Sequence, residues 1–489
     1  MTGCLAGVGV AADTTQAQAH ATNLSTAAGA AGAATAAEAE EPWSAYVVPA
    51  AASMQGSAGS LQHRAPSIPA ARPAALPQGP VLVQPGSLSL SHRQGQLAVR
   101  VPNGARNLTL QLKRHADFVF GTAYYPEKVA AADLDWYKSM TASMFQGLTP
   151  ETQFKWFYYE RVPGQYQQAK DGLDRDYIQF AQDAGFSLVR GHTLEWSKVD
   201  FGPFWAHQLN CSEYVAALKH RVVRDVTLFK GKFQQYDVFN EIIEAPGLLD
   251  TCNLWDTAFP DIFKLAHETD PEAQLCINDL GLIEAGNALK LIRIIKEHLW
   301  AHDAPIHCIG IQAHFEYAGI NMTHQQQQLD LLATLGLDMF ITEFTLFTSW
   351  AGPPILPDHP DGWPVSYLDE QTQADMTTQL LKFWFSHPAV KGVFMWGWWD
   401  SNIWIPGAGI YTVDRRPKLA AAAVQQLLQQ ELSTNVTAEA PAAGWMQFKG
   451  FYGEYVYSFV NQAGKQKTGV LHFGRGAARR QSLLQADTS

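Results

Sequence analysis

Long apolar runs and basic clusters are both missing from this sequence. No apolar stretch approaches the roughly 18 to 20 residues that a membrane-spanning helix needs. The formal net charge is −11, and no run of Lys or Arg offers a surface for phosphate backbones or anionic lipid. We therefore predict a partner that is neither a membrane nor a nucleic acid. With 47% hydrophobic residues, the 489-residue chain is long enough for one large globular domain with appendages, and we predict a monomer.

Cysteine is also scarce, with five residues and no C-x-x-C or Cys/His spacing. This scarcity excludes a disulfide scaffold and a zinc site of the usual spacing. Cys276 and Cys308 lie in apolar, strand-like runs, and we predict that both are buried free thiols. Cys211 and Cys252 fall in loops after neighbouring predicted strands, where a bridge and a free pair both remain open.

Motifs of three common enzyme classes are absent as well. The chain has no G-x-S-x-G elbow of a serine hydrolase and no H-E-x-x-H or H-x-H spacing for a metal. The first predicted strand is followed by "GTAYYPEK" (121–128), which is not a glycine-rich phosphate turn. We therefore predict an activity that uses neither a metal nor a cofactor.

The first 85 residues are dominated by Ala, Ser, Gly, Pro and Gln. Such a composition cannot bury enough apolar area to order itself, and we predict that 1–85 is a disordered leader. Its weakly apolar "LAGVGVAA" (5–12) lacks a basic region before it, which leaves a signal peptide open. Five N-x-[ST] triplets are compatible with an extracellular, secreted protein, which is the location we predict. They begin at Asn23, Asn107, Asn210, Asn321 and Asn435.

Short β elements are predicted on both sides of the central part of the chain. Residues 86–116 alternate apolar and polar side chains around "PNGA" (102–105), a pattern typical of a β-hairpin. Residues 440–480 contain three short strand patterns with glycine-containing turns, which predicts a C-terminal β appendage. We expect the two to pack together because a lone hairpin is marginally stable in water.

Eight strand–helix units fill residues 117–433. In each unit a short apolar run precedes a stretch of helical period, as "FQQYDVFNE" (233–241) precedes "LWDTAFPDIFKLAHE" (254–268). Parallel strands need a crossover helix each, and eight such units close into an α/β fold of the (β/α)8, or TIM, barrel type. An open doubly wound sheet is the competing fold, and the missing phosphate turn disfavours it.

Two carboxylates end strands on opposite sides of this predicted barrel. Glu241 ends the fourth strand and Glu343 lies at the end of the seventh. Active sites of such barrels lie at the C-terminal ends of the strands. A pair of carboxylates that converges there is suited to glycoside hydrolysis, in which one protonates the leaving oxygen and the other attacks the sugar or activates water.

The other strand ends carry groups that bind sugars, because hydroxyls pair with amides and charges while sugar C–H faces stack on indole rings. They are Glu151, Lys155, His192, Trp196, Asn240, Gln312, His314, Trp396, Trp399 and Trp404. The segment "MWGWWDSNIW" (395–404) holds four of the Trp residues, more than one strand can point inward, so at least one is expected at the mouth of the barrel.

The motifs at these strand ends resemble those of glycoside hydrolase family 10, the retaining endo-β-1,4-xylanases, over about 117–433. "GLTPETQFKW" is similar to the family's T-P-E-N-x-M-K-W, "RGHTLEW" to R-G-H-T-L-x-W and "YDVFNE" to W-D-V-V-N-E. "CINDLGL", "IGIQAHF", "ITEF" and "MWGWWDSNIW" follow in the family's order. "FKWFYYE" and "FSHPAVKGV" look most like the plant and algal branch.

This resemblance implies roles for the strand-end residues. Glu241 would be the acid/base and Glu343 the nucleophile, while Asn240 would bind the sugar 2-hydroxyl. The subsite of the reacting sugar would be lined by Lys155, His192, Trp196, Gln312, His314 and Trp396. Glu151 and Trp404 would bind the next sugar on the non-reducing side. The implied activity is that of a retaining endo-β-1,4-xylanase on a polysaccharide substrate.

Some positions depart from the family pattern. Thr345 stands where the family has an Asp that orients the histidine equivalent to His314, and Thr152 replaces an Asn. Ser197 and Ile403 replace a His and a Ser. An endo-β-glucanase on the same barrel and a catalytically weakened glycan-binding or wall-remodelling protein therefore remain alternatives.

Overall fold

The computed structural model describes residues 80–82, 88–196, 198, 201–349 and 365–483. Apart from 80–82, the leader predicted for 1–85 lies outside the described residues. Within these ranges no helix combines the length and apolar character needed to cross a membrane.

The described ranges contain sixteen strands, numbered here in chain order. They are β1 (Gln94–Val101), β2 (Arg106–His115), β3 (Val119–Tyr124), β4 (Gly147–Pro150), β5 (Leu188–Trp196), β6 (Gln235–Asn240), β7 (Gln274–Asp279), β8 (Cys308–Ile311), β9 (His314–Glu316), β10 (Asp338–Phe347), β11 (Val390–Met395), β12 (Asn435–Ala438), β13 (Gly444–Phe451), β14 (Gly453–Val460), β15 (Gln466–Phe473) and β16 (Arg480–Ser482).

The α-helices of the described ranges are also numbered in chain order. They are α1 (Leu134–Met144), α2 (Trp156–Tyr159), α3 (Gln167–Gly172), α4 (Phe180–Asp183), α5 (Cys211–Leu228), α6 (Leu248–Thr251), α7 (Ala258–Thr269), α8 (Ala288–Ile294), α9 (Met322–Ala333), α10 (Glu370–Ser386) and α11 (Leu419–Gln426). Turns of π-helix at Leu173–Gln179, Ile295–Leu299 and Leu427–Glu431 extend α3, α8 and α11.

Eight parallel strands close into a barrel. Strands β3, β4, β5, β6, β7, β8, β10 and β11 pair in that order, and β11 also pairs with β3, which completes the cylinder. Both faces of the strands are covered, as in the apolar β8 (CIGI), where every residue is buried. Helices bury one apolar stripe on the outside of the strands, and α5 begins with a capping box between Asn210 and Glu213. The predicted (β/α)8 barrel is confirmed.

The lead-in strands are present, but the predicted hairpin of 86–116 is wrong. Strand β1 pairs with β13 and β16, whereas β2 pairs with β12 and β14 in a separate sheet. A bond from the Ala105 N–H to the Pro102 carbonyl closes a turn in "PNGA", after which the chain changes sheets. Each strand pairs with a strand of eight residues from the C-terminal appendage, β13 for β1 and β14 for β2, which supplies an extended ladder of hydrogen bonds. The expected packing of these two segments against each other is therefore present in the form of shared sheets.

Arg93 ties the appendage to one end of the barrel. Its buried guanidinium donates to the carbonyl oxygens of Phe385 (2.6 Å), His387 (3.2 Å) and Val390 (2.5 Å), and to Asp117 Oδ1 (3.0 Å). Val390 begins β11 and Asp117 precedes β3, so these contacts lie where the barrel strands start. The Arg93 carbonyl oxygen accepts from the Tyr452 N–H (2.9 Å), so the appendage packs at the end of the barrel opposite to the C-terminal strand ends.

The four cysteines in the described part of the chain form two disulfides. Cys211 and Cys252 are bridged, which joins the start of α5 to the end of α6 in the segment after β6. The prediction of free thiols at Cys276 and Cys308 is wrong, because these residues are also bridged. They face each other in the paired strands β7 and β8, with 4.6 Å between their Cα atoms, a distance that allows a bridge.

Candidate active site

Glu241 follows the last residue of β6 and has a left-handed backbone, with φ of 57°. This conformation is uncommon for a residue with a side chain and persists where the surroundings hold it. Two bonds hold it here: the Glu241 N–H donates to the Asn278 carbonyl oxygen (2.9 Å), and the Ile243 N–H donates to Asp279 Oδ2 (3.0 Å). The chain therefore turns sharply at the strand end and fixes the position of the Glu241 side chain.

Asn278 connects the two sides of the site. Its Nδ2 donates to Asn240 Oδ1 (2.8 Å) and to Glu343 Oε1 (2.7 Å), while its Oδ1 accepts from the Thr342 hydroxyl (2.5 Å). The hydroxyl fixes which way the amide points, so that both N–H groups face the carboxylate and the neighbouring amide. Sequence reasoning missed this role. The available signal was the pair "ND" at the end of an apolar run, the same pattern that marked Asn240 and Glu241.

Gln312 completes the amide network on the other side of Asn240. Its Nε2 donates to Glu241 Oε1 (3.1 Å) and to Asn240 Oδ1 (3.4 Å). The acceptor of Asn240 is therefore occupied, whereas its buried Nδ2 and the buried Nε1 of Trp196 have no hydrogen-bond partner in the described part of the chain. Unpaired buried donors are destabilising, and a ligand with hydroxyl acceptors would satisfy them.

Glu343 is held as an anion. Burial opposes its ionisation, but the hydrogen bond from His314 and the charges of His192, His314 and Lys155 outweigh burial and lower the pKa of Glu343 to about 2. His314 Nε2 lies 3.2 Å from Glu343 Oε2, and Asn278 holds the other oxygen. A buried carboxylate that stays ionised near neutral pH can act as a nucleophile.

Thr345 supports His314 from the side opposite to Glu343. The Thr345 hydroxyl lies within hydrogen-bond distance of His314 Nδ1 (3.2 Å), and its oxygen accepts from Trp404 Nε1 (3.1 Å). The ring planes of His314 and Trp404 meet edge to face with centroids 4.6 Å apart. The hydroxyl at this position therefore replaces a carboxylate as a neutral support for the same ring.

His192 is oriented by a buried ion pair. Its Nδ1 lies 2.8 Å from Asp237 Oδ2, and Arg190 donates to Asp237 Oδ1 (2.5 Å). All three side chains are buried inside the barrel. The edge of His192 meets the Trp396 ring at a centroid distance of 5.3 Å, so the carboxylate sets the position of the imidazole beside this indole. Sequence reasoning gave no role to Asp237 or Arg190.

Lys155 lies between the aromatic walls of the site. Its Nζ is 5.1 Å from the ring centroid of Trp196 and 5.5 Å from that of Trp396. Burial lowers the pKa of Lys155, and the charges of Glu343, Glu151 and Glu241 oppose this effect. Burial raises the pKa of Glu151, and Lys155 opposes it in turn. Lys155 is thus coupled electrostatically to all three carboxylates.

Every residue that the sequence singled out for the site, with one exception, lies in this assembly. Trp399 is the exception: it is buried in the core, where its Nε1 donates to the Thr412 carbonyl oxygen (2.9 Å). Trp398, from the same segment, is also buried and donates to Thr141 Oγ1 (3.2 Å). Trp396 and Trp404 are thus the two indoles of this segment at the mouth of the barrel.

Two charged residues near the site were not assigned from sequence. Lys198 Nζ lies 3.9 Å from Glu241 Oε2 and also faces the Phe201 ring, which stacks on Trp196. Glu195 is buried and accepts a hydrogen bond from the Tyr214 hydroxyl on α5. Glu195 therefore belongs to the contact between barrel and helix and Lys198 to the edge of the site.

Lys155→Met is expected to move the acid limb of the pH profile of kcat/KM to higher pH. Lys155 helps to lower the pKa of Glu343, so its removal raises that pKa. Glu343 acts as an anion and activity is lost as the pH falls through its pKa, so the loss in Lys155→Met should begin at a higher pH than in the wild type. Lys198→Met is the matched control because Lys198 adjoins Glu241. An unchanged acid limb in Lys155→Met would show that Lys155 does not set the charge of Glu343.

Comparison with known proteins identifies the family of this chain. The model of the family described as "Glycosyl hydrolase family 10" matches residues 109–427. The chain belongs to glycosyl hydrolase family 10. The resemblance inferred from the strand-end motifs is thereby confirmed, and the matched residues include the whole barrel up to the end of α11.

Two similar proteins come from Arabidopsis and Thermotoga. "Endo-1,4-beta-xylanase 2" of Arabidopsis thaliana is 28% identical over 320 residues, which are 65% of this chain and 27% of the relative. "Endo-1,4-beta-xylanase B" of Thermotoga neapolitana is 27% identical over 340 residues, which are 67% of this chain and 92% of the relative. The match thus spans about a quarter of the Arabidopsis protein and nearly all of the Thermotoga protein.

Solved structures of xylanases share the fold. Xylanase 10B from Thermotoga petrophila RKU-1, in complex with xylobiose, superposes with a TM-score of 0.55 at 24% identity. The alignment covers 64% of this chain and 95% of that one. At this identity the likeness shows the (β/α)8 barrel, and the chemistry of the site has to be argued from its own residues.

Proposed function

We propose that this protein is a retaining endo-β-1,4-xylanase that cleaves internal bonds of xylan by double displacement. Glu343 is the nucleophile and Glu241 is the acid/base. The observation that carries the proposal is the asymmetry of the two carboxylates. Glu343 is held ionised by His314 and Asn278, whereas Glu241 receives one amide hydrogen bond, from Gln312, and turns out of its strand end.

In the first step the Glu343 carboxylate attacks the anomeric carbon and forms a C–O bond to it. The bond from that carbon to the leaving oxygen breaks, and Glu241 transfers its proton to this oxygen. Asn240 Nδ2 is free to donate to the 2-hydroxyl of the reacting sugar, where a hydrogen bond strengthens as charge develops at the neighbouring carbon. The products are a glycosyl-enzyme ester and the released aglycone half of the chain.

In the second step Glu241, now ionised, removes a proton from water. The water oxygen attacks the anomeric carbon, and Glu343 leaves as a carboxylate. Two displacements at one carbon restore its β configuration. This route requires carboxyl groups about 5 to 5.5 Å apart. A close approach of Glu241 and Glu343 is supported by a continuous series of hydrogen bonds between them, through the amides of Asn278, Asn240 and Gln312.

The proposal is tested by proton NMR of a xylo-oligosaccharide digest followed from the first minutes. We expect the β anomer of the new reducing end to appear first and the α anomer to grow later by mutarotation. An initial α anomer would rule out double displacement. Parallel reducing-end assays on xylan and on a mixed-linkage β-glucan separate xylanase from glucanase, and binding of xylo-oligosaccharides without cleavage over a day would favour the weakened glycan-binding alternative.

An extracellular location is part of the same proposal. The two disulfides are the kind of cross-link that persists in oxidising compartments, and a polysaccharide substrate is met outside the cell. Four of the N-x-[ST] asparagines, Asn107, Asn210, Asn321 and Asn435, lie on the surface of the described chain. A shift in the electrophoretic mobility of the protein after treatment with an amidase that removes N-linked glycans would support secretion.

A further inference from the structure

The sheet formed by β13, β1 and β16 has one face directed to solvent. Alternate residues of a strand point to opposite faces, and Leu97, Val99 and Val101 of β1 are buried on the inner one. Of the residues between them, Arg100 is exposed and the small Ala98 is buried, and the partners of both on the neighbouring strands are exposed. We call the exposed side the outer face; its large side chains are Gln96, Arg100, Trp445, Gln447, Lys449 and Arg480.

Trp445 is the one aromatic side chain of the outer face. It is 51% exposed and pairs across the strands with Arg100. The guanidinium of Arg480 lies over its ring, 5.7 Å from the centroid. An indole fixed by a cation on a flat sheet offers a rigid apolar surface to which the C–H face of a sugar can bind.

The charge of the outer face is opposite to that of the whole chain. Arg100, Lys449 and Arg480 are cationic, and the outward positions of these three strands include no acidic residue. None of the three cations forms an ion pair within the part of the chain that the structure describes. The formal net charge of the protein is −11, so a cationic face of this kind is a local feature that favours an anionic ligand.

A polar groove continues from the outer face at Lys449. It has a volume of about 500 Å³ and is lined by amides, hydroxyls and one carboxylate, among them Gln94, Glu431, Ser433 and Asn435. Trp445 and Lys449 are four residues apart on β13, a distance of about 13 Å along the strand. The aromatic ring, the cations and the groove thus form one extended surface, which is the shape that a chain ligand needs.

We propose that the outer face and its groove bind a polysaccharide that carries carboxylate groups, namely a xylan with uronate substituents. The sugar backbone stacks on Trp445 and extends toward the groove, and the carboxylates pair with Arg100, Arg480 and Lys449. This choice of ligand rests on the proposed xylanase function. Arg93 fixes the appendage at the end of the barrel opposite to Glu241 and Glu343, so one chain of the polymer can be held here while another occupies the active site.

A second copy of the protein fits the outer face less well. A stable dimer interface has an apolar core, whereas this face has one indole among amides and cations. A general polyanion would satisfy the cations but would leave the Trp445 ring without a stacking partner. The uronate-bearing xylan uses both features, and the tests below separate these occupants.

The test measures binding apart from catalysis, with Glu343→Gln as the background so that the polymer is not cleaved. Affinity electrophoresis compares a uronate-bearing xylan with the same xylan after reduction of its carboxyl groups. Trp445→Ala should weaken binding to both polymers by about fivefold. The double variant Arg100→Gln and Arg480→Gln should abolish the preference for the charged polymer and its sensitivity to salt. Trp300→Ala, at another exposed Trp (38%), is the matched control.

The outcomes separate this proposal from the proposed function. Wild-type affinity of Trp445→Ala for both polymers, or equal binding of the charged and reduced polymers by the parent, would overturn the proposal. Binding of polyglutamate as tightly as xylan would also overturn it, because the face would then be a general anion site. On the otherwise unsubstituted enzyme, Trp445→Ala should keep its kcat and KM for short neutral xylo-oligosaccharides. Hydrolysis therefore reports on the proposed function, and polymer retention reports on the outer face.

Discussion

Glu343→Gly is expected to lose hydrolysis of xylan by a factor on the order of 10⁴ or more, because the variant cannot form the covalent intermediate. The substitution leaves a space beside the anomeric carbon that a small anion can enter. With azide and an aryl β-xyloside that has a good leaving group, activity should return, and the product should be the α-glycosyl azide. The configuration at the anomeric carbon is inverted because one displacement takes place instead of two.

Asp338→Asn is the control for this experiment. Asp338 begins the same strand, β10, and is partly exposed at the opposite end of the barrel, so its loss should leave the rate near that of the wild type. A β-glycosyl azide from Glu343→Gly, or a wild-type rate without azide, would show that Glu343 is not the nucleophile. Thermal unfolding near the wild-type temperature distinguishes loss of chemistry from loss of fold.

The barrel was predictable because its strands are covered on both faces. Burial on both sides makes most of the strands rich in apolar residues, and the helices between strands keep their own period, so the alternation is visible in the sequence. Glu241 and Glu343 were recognisable for the same reason, because a carboxylate that follows apolar residues has to lie near solvent or in a functional site. Their convergence followed from the topology of a closed barrel.

Contacts between distant strands were not predictable. Local alternation around "PNGA" is the same for a hairpin as for two strands that enter separate sheets, and the partners of β1 and β2 lie more than 300 residues later. The register of β7 on β8 likewise decides that Cys276 faces Cys308, and no short-range pattern fixes that register. From the sequence alone, a cysteine in an apolar run is therefore interpreted as a free thiol.

The support of the nucleophile was predictable only in part. The sequence indicated that a hydroxyl, Thr345, lies beside His314. The indole that donates a hydrogen bond to this hydroxyl, Trp404, comes from a segment 59 residues later. The role of Asn278 depends on the direction in which Thr342 turns its amide, and amide orientation is a property of the assembled network. Roles of this kind require side-chain geometry, whereas residue types and strand ends suffice for the carboxylates.

Glu241→Gln is expected to separate substrates by their leaving groups. Xylan has a poor leaving group that needs a proton, and its cleavage should fall by about 10² to 10⁴-fold, the usual contribution of a general acid. An aryl β-xyloside whose phenolate leaves without a proton should still react with Glu343. The amide cannot then activate water, so the glycosyl-enzyme should accumulate. A rapid burst of phenolate followed by a slow steady rate, with a lowered KM, is the expected result.

Azide also shows on which face of the sugar ring the displaced carboxylate lies. It needs no base and should displace Glu343 from the accumulated intermediate, which raises the steady rate and gives the β-glycosyl azide, the anomer opposite to that from Glu343→Gly. The matched control is Glu244→Gln, at an exposed carboxylate three residues later in the same loop, which should keep the wild-type preference for xylan. Equal losses on xylan and on the aryl xyloside in Glu241→Gln, without a burst, would mean that the proton comes from another group. The opposite anomers from the two variants would place the two carboxylates on opposite faces of the sugar ring, which is the arrangement that double displacement demands.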